Sequence, residues 1–303
     1  MAGGMERPWP LRSTGSKPSW TNTFLKIFSP YPSLSQEFCR IFKFTDAFNN
    51  HMKQFIISFL LLAVITGCQK EDKQQDAFAA EKTMLDVAYG TDASQKMDVY
   101  LPANRNTTET KVLVLVHGGS WSSGDKTELN EYLPVFKQRL PGYAIFNINY
   151  RLGQLPAINT FPTQEMDVKA AFDAIVAKGD EYGFNKEKLA ALGVSAGAHL
   201  VLLQAYKNNT PKLKAVVDMF GPTDLAAMYN NATTPLEQII LQALLKGTPS
   251  TNATLYQSSS PIHFVTAQSP PTLILHGGAD PLVSPSQSTT LKAKLEGATV
   301  PVQ

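Results

Sequence analysis

Cysteine is scarce in this sequence. Cys39 and Cys68 are the only two in 303 residues, so no disulfide framework can define the fold. An excess of one charge is also missing: 27 Lys and Arg stand against 25 Asp and Glu, with no basic run. That balance gives a nucleic-acid-binding role no footing. Histidine is sparse and scattered, at five residues without metal-ligand spacing, so nothing points to a metal or another cofactor. The longest apolar run, residues 55–66, falls short of the roughly 20 residues that span a bilayer. What remains is a chain 43% apolar and 17% charged, which is neither disordered nor of low complexity and can bury a sizeable core. The length permits two domains, but one α/β domain also fits.

The short apolar run has its own meaning. Lys53 precedes residues 55–66, and Ile65-Thr66-Gly67-Cys68 closes the run. A cation, an apolar stretch of this length and small residues at its end form the pattern of a secretion signal. The last four residues resemble a bacterial lipobox, which implies lipidation of Cys68 and attachment to the cell envelope. The alternative is a buried hydrophobic helix, but the run gives way at once to a polar stretch, 69–76. Residues 52–67 are therefore expected to be a signal peptide and 68–82 a flexible tether. Signals act from an N-terminus, so residues 1–51 are expected to be an upstream extension outside the fold, with Met52 the true start.

Beyond the tether, strand-like and helix-like segments alternate. Residues 83–89 and 95–101 read as an opening antiparallel pair. Residues 111–116 are continuously apolar after Lys111, as in a strand buried on both faces. Further strands are predicted at 143–150, 189–193, 215–220 and 272–275, and helices at 127–140, 165–182 and 196–207. In the second helix, Met166, Val168, Ala171, Phe172, Ile175 and Val176 approximate one apolar face. The alternation predicts an α/β fold over 83–303, a mostly parallel sheet flanked by helices, with a helical insertion at about 224–265.

Three short patterns carry chemistry. Gly193-Val194-Ser195-Ala196-Gly197 lies between an apolar strand and a helix, where the glycines permit a sharp turn that lifts the serine hydroxyl clear of the sheet. An ordinary helix start, with Ser195 as N-cap, is the competing reading. His117-Gly118-Gly119-Ser120-Trp121 closes the strand 111–116. A glycine-rich turn there can present backbone N–H groups to a developing oxyanion, and the N–H of Ala196 would be the second donor. Asp280, in His276-Gly277-Gly278-Ala279-Asp280, follows a late strand and fits the order Ser, Asp, His of such hydrolases. It would hold the histidine tautomer, or it could merely cap the helix beginning near Ser284.

Together these residues resemble the esterase and lipase group of α/β-hydrolases. The closest likeness is to the feruloyl-esterase-like and carboxylesterase families marked HGGxW and GDK. The matching residues are His117–Trp121, Gly124-Asp125-Lys126, Tyr150-Arg151-Leu152, Gly193–Leu200, Gly221-Pro222-Thr223-Asp224-Leu225, Ser260-Pro261 and His276-Gly277 with Asp280. The likeness runs over about 83–303. It implies an eight-stranded, mostly parallel sheet, Ser195 as nucleophile and Asp280 as acid. It also implies an oxyanion hole at Gly119, Ser120 and Ala196, supported by Gly118 and Trp121. The implied substrate is a small-molecule or polysaccharide-linked ester with a short acyl, acetyl or feruloyl group.

The base is harder to find. The family places its histidine after the acid, and no histidine follows Asp280. His51 precedes the signal, His117 opens the oxyanion turn, His199 lies one helical turn past Ser195, His263 is in the insertion and His276 ends a strand. Residues 300–302 read as the start of a final strand, so the expectation is that the chain stops short of the histidine loop and is inactive. Loss of catalysis, or an unusual use of His263, is the alternative. An amidase or peptidase on the same fold, or a non-catalytic binding module, stands beside the esterase reading.

Overall fold

The computed structural model describes residues 78–154 and 157–303, within the unit Gly67–Gln303. The predicted extension (1–51), signal (52–67), Cys68 and most of the tether lie outside the described residues. Among the described residues, no helix is long and apolar enough to cross a membrane.

Among the described residues, seven strands form one sheet: β1 (Lys82–Ala88), β2 (Lys96–Leu101), β3 (Lys111–Val116), β4 (Tyr143–Ile148), β5 (Leu189–Val194), β6 (Ala215–Met219) and β7 (Thr272–Leu275). Their order is β1-β2-β4-β3-β5-β6-β7. β1 and β2 pair antiparallel, as do β2 and β4, and every later neighbour pairs parallel. This is the predicted α/β sheet. Past β7, Thr272 bridges Val302 in parallel, with Thr272 N–H donating to Pro301 O at 3.0 Å and Ile274 N–H to Gln303 O at 2.8 Å. Residues 301–303 thus occupy the eighth strand position.

The helices are α1 (Leu133–Arg139), α2 (Thr163–Ala177), α3 (Gly179–Tyr182), α4 (Ala196–Leu203), α5 (Leu225–Asn230), α6 (Pro235–Leu244), α7 (Ala253–Ser258) and α8 (Ser286–Gly297). The predicted 127–140 helix is a 3₁₀ segment, Lys126–Tyr132, running into α1. α4 continues as a π-helical turn, Gln204–Asn208.

β3 shows why a continuous apolar run suits a central strand. Alternate side chains leave opposite faces, so Val112, Val114 and Val116 enter a core with α2, α4 and α8, while Leu113 and Leu115 pack with Leu129 and Leu133.

One detail of α2 corrects the predicted apolar face. Met166 is 62% exposed, whereas Val168, Ala171, Phe172 and Ile175 are buried. At about 100° per residue, Met166 points away from Val168. Polar Gln164, Glu165 and Asp167 fill the buried positions instead. Asp167 binds Arg151 through Nη2 at 2.6 Å and Gln95 Nε2 at 2.7 Å, Gln164 donates to Arg151 O at 3.0 Å, and Lys207 donates to Glu165 at 2.9 Å. These bonds pair both carboxylates and the Gln164 amide N–H, which makes the groups tolerable there, while Gln164 Oε1 has no partner.

Lys126 is a second such case. Its ammonium is buried 2.9 Å from both Asp86 and Asp98, and Asp98 is buried while Asp86 is 70% exposed. Asp125 caps the 3₁₀ segment through Thr127 N–H at 2.8 Å and accepts from Asn149 Nδ2 at 2.6 Å. The Gly124-Asp125-Lys126 motif therefore fastens the chain after the oxyanion turn to β2 and to the end of β4. Lys126→Met should cost about 3–5 kcal/mol, because Asp98 would be left charged and unpaired in the interior. Asp86→Asn, at the exposed partner, should cost less than about 1 kcal/mol. Urea denaturation of the two variants checks this, and equal losses would refute the asymmetry.

Candidate active site

The elbow at the end of β5 is built by close approach. Ser195 has φ 52° and ψ −118°, a region costly for a residue with a side chain. Its N–H donates to Met219 O at 2.8 Å, which fixes the turn to β6. A Cβ at Gly197 would strike the carbonyls of Val116 and His117, so only glycine lets α4 lie this near β3. Ser195 occupies the N-cap position of α4, but its side chain makes no capping hydrogen bond. The hydroxyl is therefore not spent on the helix start, and the residue is half-buried, within reach of a ligand.

The turn after β3 lies against the elbow. A Cβ on Gly118 would sit 3.0 Å from Val194 O and 3.4 Å from Ser195 Cβ. Gly119, Ser120 and Trp121 all adopt positive φ, at 103°, 50° and 60°. Three consecutive residues in this conformation curl the backbone, and Gly119 O accepts from Ser122 N–H and Ser123 N–H at 3.0 and 2.9 Å. Among the described residues, no hydrogen bond engages the N–H groups of Gly119, Ser120 or Ala196. Free donors beside a serine hydroxyl are what an oxyanion site requires.

Buried contacts hold this turn. Tyr150 stacks on His117 with centroids 4.4 Å apart, and its hydroxyl donates to His117 O and Gly118 O at 3.2 and 3.1 Å. Trp121 Nε1–H donates to His199 Nδ1 at 3.1 Å. The His199 proton is therefore on Nε2, which donates to Ser259 O at 2.7 Å. Burial pushes His199 down to about 4, so it is a neutral strut. These links explain why the Trp of His117–Trp121 and the His199 that follows the elbow occur together. Either partner alone would leave a buried polar nitrogen unmet.

Asp280 lies at the carboxyl end of β7, two strands from the elbow. Its Oδ1 accepts from Leu282 N–H and Val283 N–H, both at 2.9 Å, so it does cap the following turn. Its Oδ2 faces His276 Nε2 at 3.5 Å. His276 is fully engaged, through Nδ1 with Ser288 Oγ at 2.6 Å and through Nε2 with Val283 O at 2.8 Å. His117 Nδ1 donates to Gly118 O at 2.8 Å, and burial lowers its pKa. His263 is exposed on the 3₁₀ turn Pro261–Phe264. Among the described residues, no hydrogen bond joins the Ser195 hydroxyl to a histidine side chain or to Asp280. The structure thus brings together Ser195, Gly119, Ser120 and Ala196, and places Asp280 along the same edge of the sheet.

One group has no counterpart in the sequence reading. Asp218 on β6 is fully buried, beside Ala198 of α4. Its Oδ1 accepts from Gly221 N–H at 2.8 Å, its Oδ2 has no partner, and burial pushes it up to about 7. A lone aspartate within the apolar run of β6 was the only available signal.

Comparison with known proteins agrees with this architecture. The BD-FAE family matches the chain over residues 97–295. Esterase LipC of Mycobacterium tuberculosis is 27% identical over 69% of this chain and 54% of its own length. The probable carboxylic ester hydrolase LipM of the same organism is 30% identical over 67% of this chain and 49% of its own. The chain thus spans about half the length of these curated relatives. A truncated carbohydrate esterase from gut microbiota superposes with a TM-score of 0.63 at 25% identity, over 75% of this chain and 87% of that one.

His199 and Asp218, each buried on its own partners, have opposed pH dependences. His199, at about 4 when folded, stays neutral while the unfolded chain protonates near 6.5. Its contribution is complete above pH 6.5 and lost as pH falls towards 4. Asp218, at about 7, keeps a proton that the unfolded chain releases near 3.8. Its contribution is complete below pH 3.8 and lost as pH rises through 7. They amount to roughly 3 kcal/mol for His199 and roughly 4 kcal/mol for Asp218, and between pH 4 and 6.5 their slopes nearly cancel. Asp218→Asn should unmask stability that rises with pH across that window, and His199→Gln stability that falls. Denaturation curves at several pH values decide it, and parallel slopes for both variants would refute the pairing.

Proposed function

We propose that this chain, which belongs to the BD-FAE family of α/β-hydrolase esterases, cleaves carboxylic esters through an acyl-enzyme on Ser195. The observation that carries this reading is the uncapped Ser195 hydroxyl on a strained elbow beside the unengaged N–H groups of Gly119, Ser120 and Ala196. In the first step Ser195 Oγ bonds to the ester carbonyl carbon and its proton passes to a base. The carbonyl oxygen takes the charge, stabilised by those N–H groups. The C–O bond to the alcohol then breaks and the alcohol takes the proton. Water repeats the sequence to release the acid. Asp280, through its Oδ2, is the group that orients the base and stabilises its charged form.

The likeness to a carbohydrate esterase supports a sugar-linked ester as one substrate. The 52–68 segment supports a lipid anchor on Cys68 and a place in the bacterial cell envelope.

No described histidine side chain hydrogen-bonds the Ser195 hydroxyl, so the 303-residue chain should hydrolyse p-nitrophenyl acetate slowly. Loss of a triad base costs about 10⁴-fold or more, while the oxyanion hole and binding retain a residue of rate. Added imidazole can take the Ser195 proton, and it also cleaves the ester unaided, so Ser195→Ala supplies the baseline. The wild type should exceed that baseline increasingly as imidazole rises. A Ser195→Ala variant indistinguishable from wild type would remove Ser195 from the mechanism.

Expressed from Met52 in a bacterium, the protein should incorporate labelled fatty acid and sediment with membranes, and Cys68→Ala should abolish both. Equal labelling of the variant would exclude the anchor.

A further inference from the structure

The chain enters the domain at the end of the sheet opposite the elbow. β1 runs antiparallel to β2 and β2 antiparallel to β4, so β1 points the same way as β4. Its first residue, Lys82, pairs with Leu101 and so lies at the amino edge of the parallel strands. Ser195 follows the carboxyl end of β5. The residues leading into β1 are fastened to the amino edge. Arg105 is buried, and its guanidinium donates to Tyr182 O at 2.8 Å, Ala80 O at 2.6 Å, Pro102 O at 3.2 Å and Phe78 O at 3.4 Å. It also lies 5.0 Å over the Phe78 ring, which packs on Gly183 in the turn between α3 and β5. Asn104 N–H donates to Ala79 O at 3.3 Å. Phe78 is thus held at the foot of β5, and Ser195 stands at its head.

This placement limits which part of the domain a lipid on Cys68 can bring to a membrane. Ten residues, 68–77, precede Phe78. Whatever their conformation, they span at most about 33–36 Å. A compact domain the length of 78–303 has a radius of gyration of about 17 Å, hence an outer radius of about 22 Å. The path over its surface from the foot of β5 to the head is half a circumference, about 70 Å. Residues 68–77 cover about half of that path. However the domain tips, the point that touches a bilayer holding Cys68 lies within about a quarter turn of Phe78. The face bearing Ser195 then stays about 20 Å or more above the bilayer.

We propose that the Ser195 face is turned away from the membrane that holds the protein, so that it meets only esters presented in the aqueous space and never the ester groups of that membrane's own lipids. This rests on the reading of Cys68 as a lipid anchor. One feature of the surface pulls the other way. Ile158, Leu236 and Ile239, beside Ser120, are more than half exposed, and an apolar rim suits a lipid surface. The reach of the chain decides against it, because the rim lies at the far pole from Phe78. Arg105 keeps that reach short. Among the described residues, all its hydrogen bonds go to backbone carbonyls, so it fixes the path of the chain and starts the count at Phe78.

The test uses the protein expressed from Met52, lipidated in the cell and reconstituted into phosphatidylcholine vesicles that carry a fluorescent acceptor on some headgroups. From residue 68 onward the chain has no cysteine besides Cys68, whose sulfur the lipid occupies, so one introduced cysteine takes a single donor dye. Two variants are labelled: Ala103→Cys, exposed beside the Arg105 clamp, and Ile239→Cys, exposed on the Ser195 side. Energy transfer to the vesicle should be several-fold stronger from the Ala103→Cys dye than from the Ile239→Cys dye. An insert of about forty Gly and Ser residues after Gln75 carries the extended reach past the half circumference, and should bring the two efficiencies within about twofold. Equal transfer from the two dyes without the insert, or stronger transfer from Ile239→Cys, would overturn the orientation. So would a difference that the insert leaves unchanged. Uptake of labelled fatty acid at Cys68 reports separately on the anchor. Lipidated protein with equal transfer keeps the anchor and removes the orientation, whereas protein that takes no lipid removes the anchor and the orientation with it.

Discussion

The site depends on how closely α4 can approach β3. Gly197 brings the first turn of that helix onto the carbonyls of Val116 and His117, and a methyl group there would force the two apart. The approach holds Ser195 at φ 52° and lays Gly118 against the serine Cβ. Strain of this kind, of order 1–3 kcal/mol per residue, persists only where the surroundings over-determine the backbone. Here they do. β5 is paired on both sides, Ser195 N–H is tied to β6, and α4 is wholly buried. The reactive geometry is thus imposed by the sheet and helix and does not rest on side-chain hydrogen bonds of the serine itself.

The motif residues divide into some with unengaged groups at the elbow and the turn beside it, and others that hold those in place. Among the described residues, the N–H groups of Gly119, Ser120 and Ala196 and the Ser195 hydroxyl are left unengaged. Trp121, Lys126, Tyr150, Arg151 and His199 are conductors of position: each spans from the loop edge to a neighbouring element through a polar bond that burial makes difficult to lose. The Thr223-Asp224 pair works likewise. Both N–H groups donate to Gln287 Oε1 at 2.7 Å, which couples α8, and with it the chain after Asp280, to the loop after β6.

Much of this was legible in the sequence, for identifiable reasons. β3 was readable to the residue because a strand buried on both faces is apolar throughout, here after Lys111, and its end coincides with a glycine turn. The elbow was readable because its glycines answer a steric demand that few other sites make. The apolar face of α2 was misjudged at Met166, since polar residues with dedicated partners took the buried positions and broke the periodic signal. Asp218 and the Lys126–Asp98 pair were invisible for the same reason. Whether a charge is buried depends on contacts between residues distant in the chain, which spacing does not encode.

The bulge in β1 has a consequence for how the protein behaves at high concentration. Among the described strands β1 is outermost, and a flat outer strand is a template on which a second molecule can add its own. Between Met84 and Val87 the register slips, Asp86 turns to φ 55°, and its N–H points inward to Asp98 Oδ1 at 2.9 Å. The hydrogen-bonding row that a newcomer would need is therefore interrupted midway, and an exposed carboxylate stands at the gap. The same ion pair that anchors the oxyanion-side loop thus guards the molecule against edge-to-edge growth into aggregates.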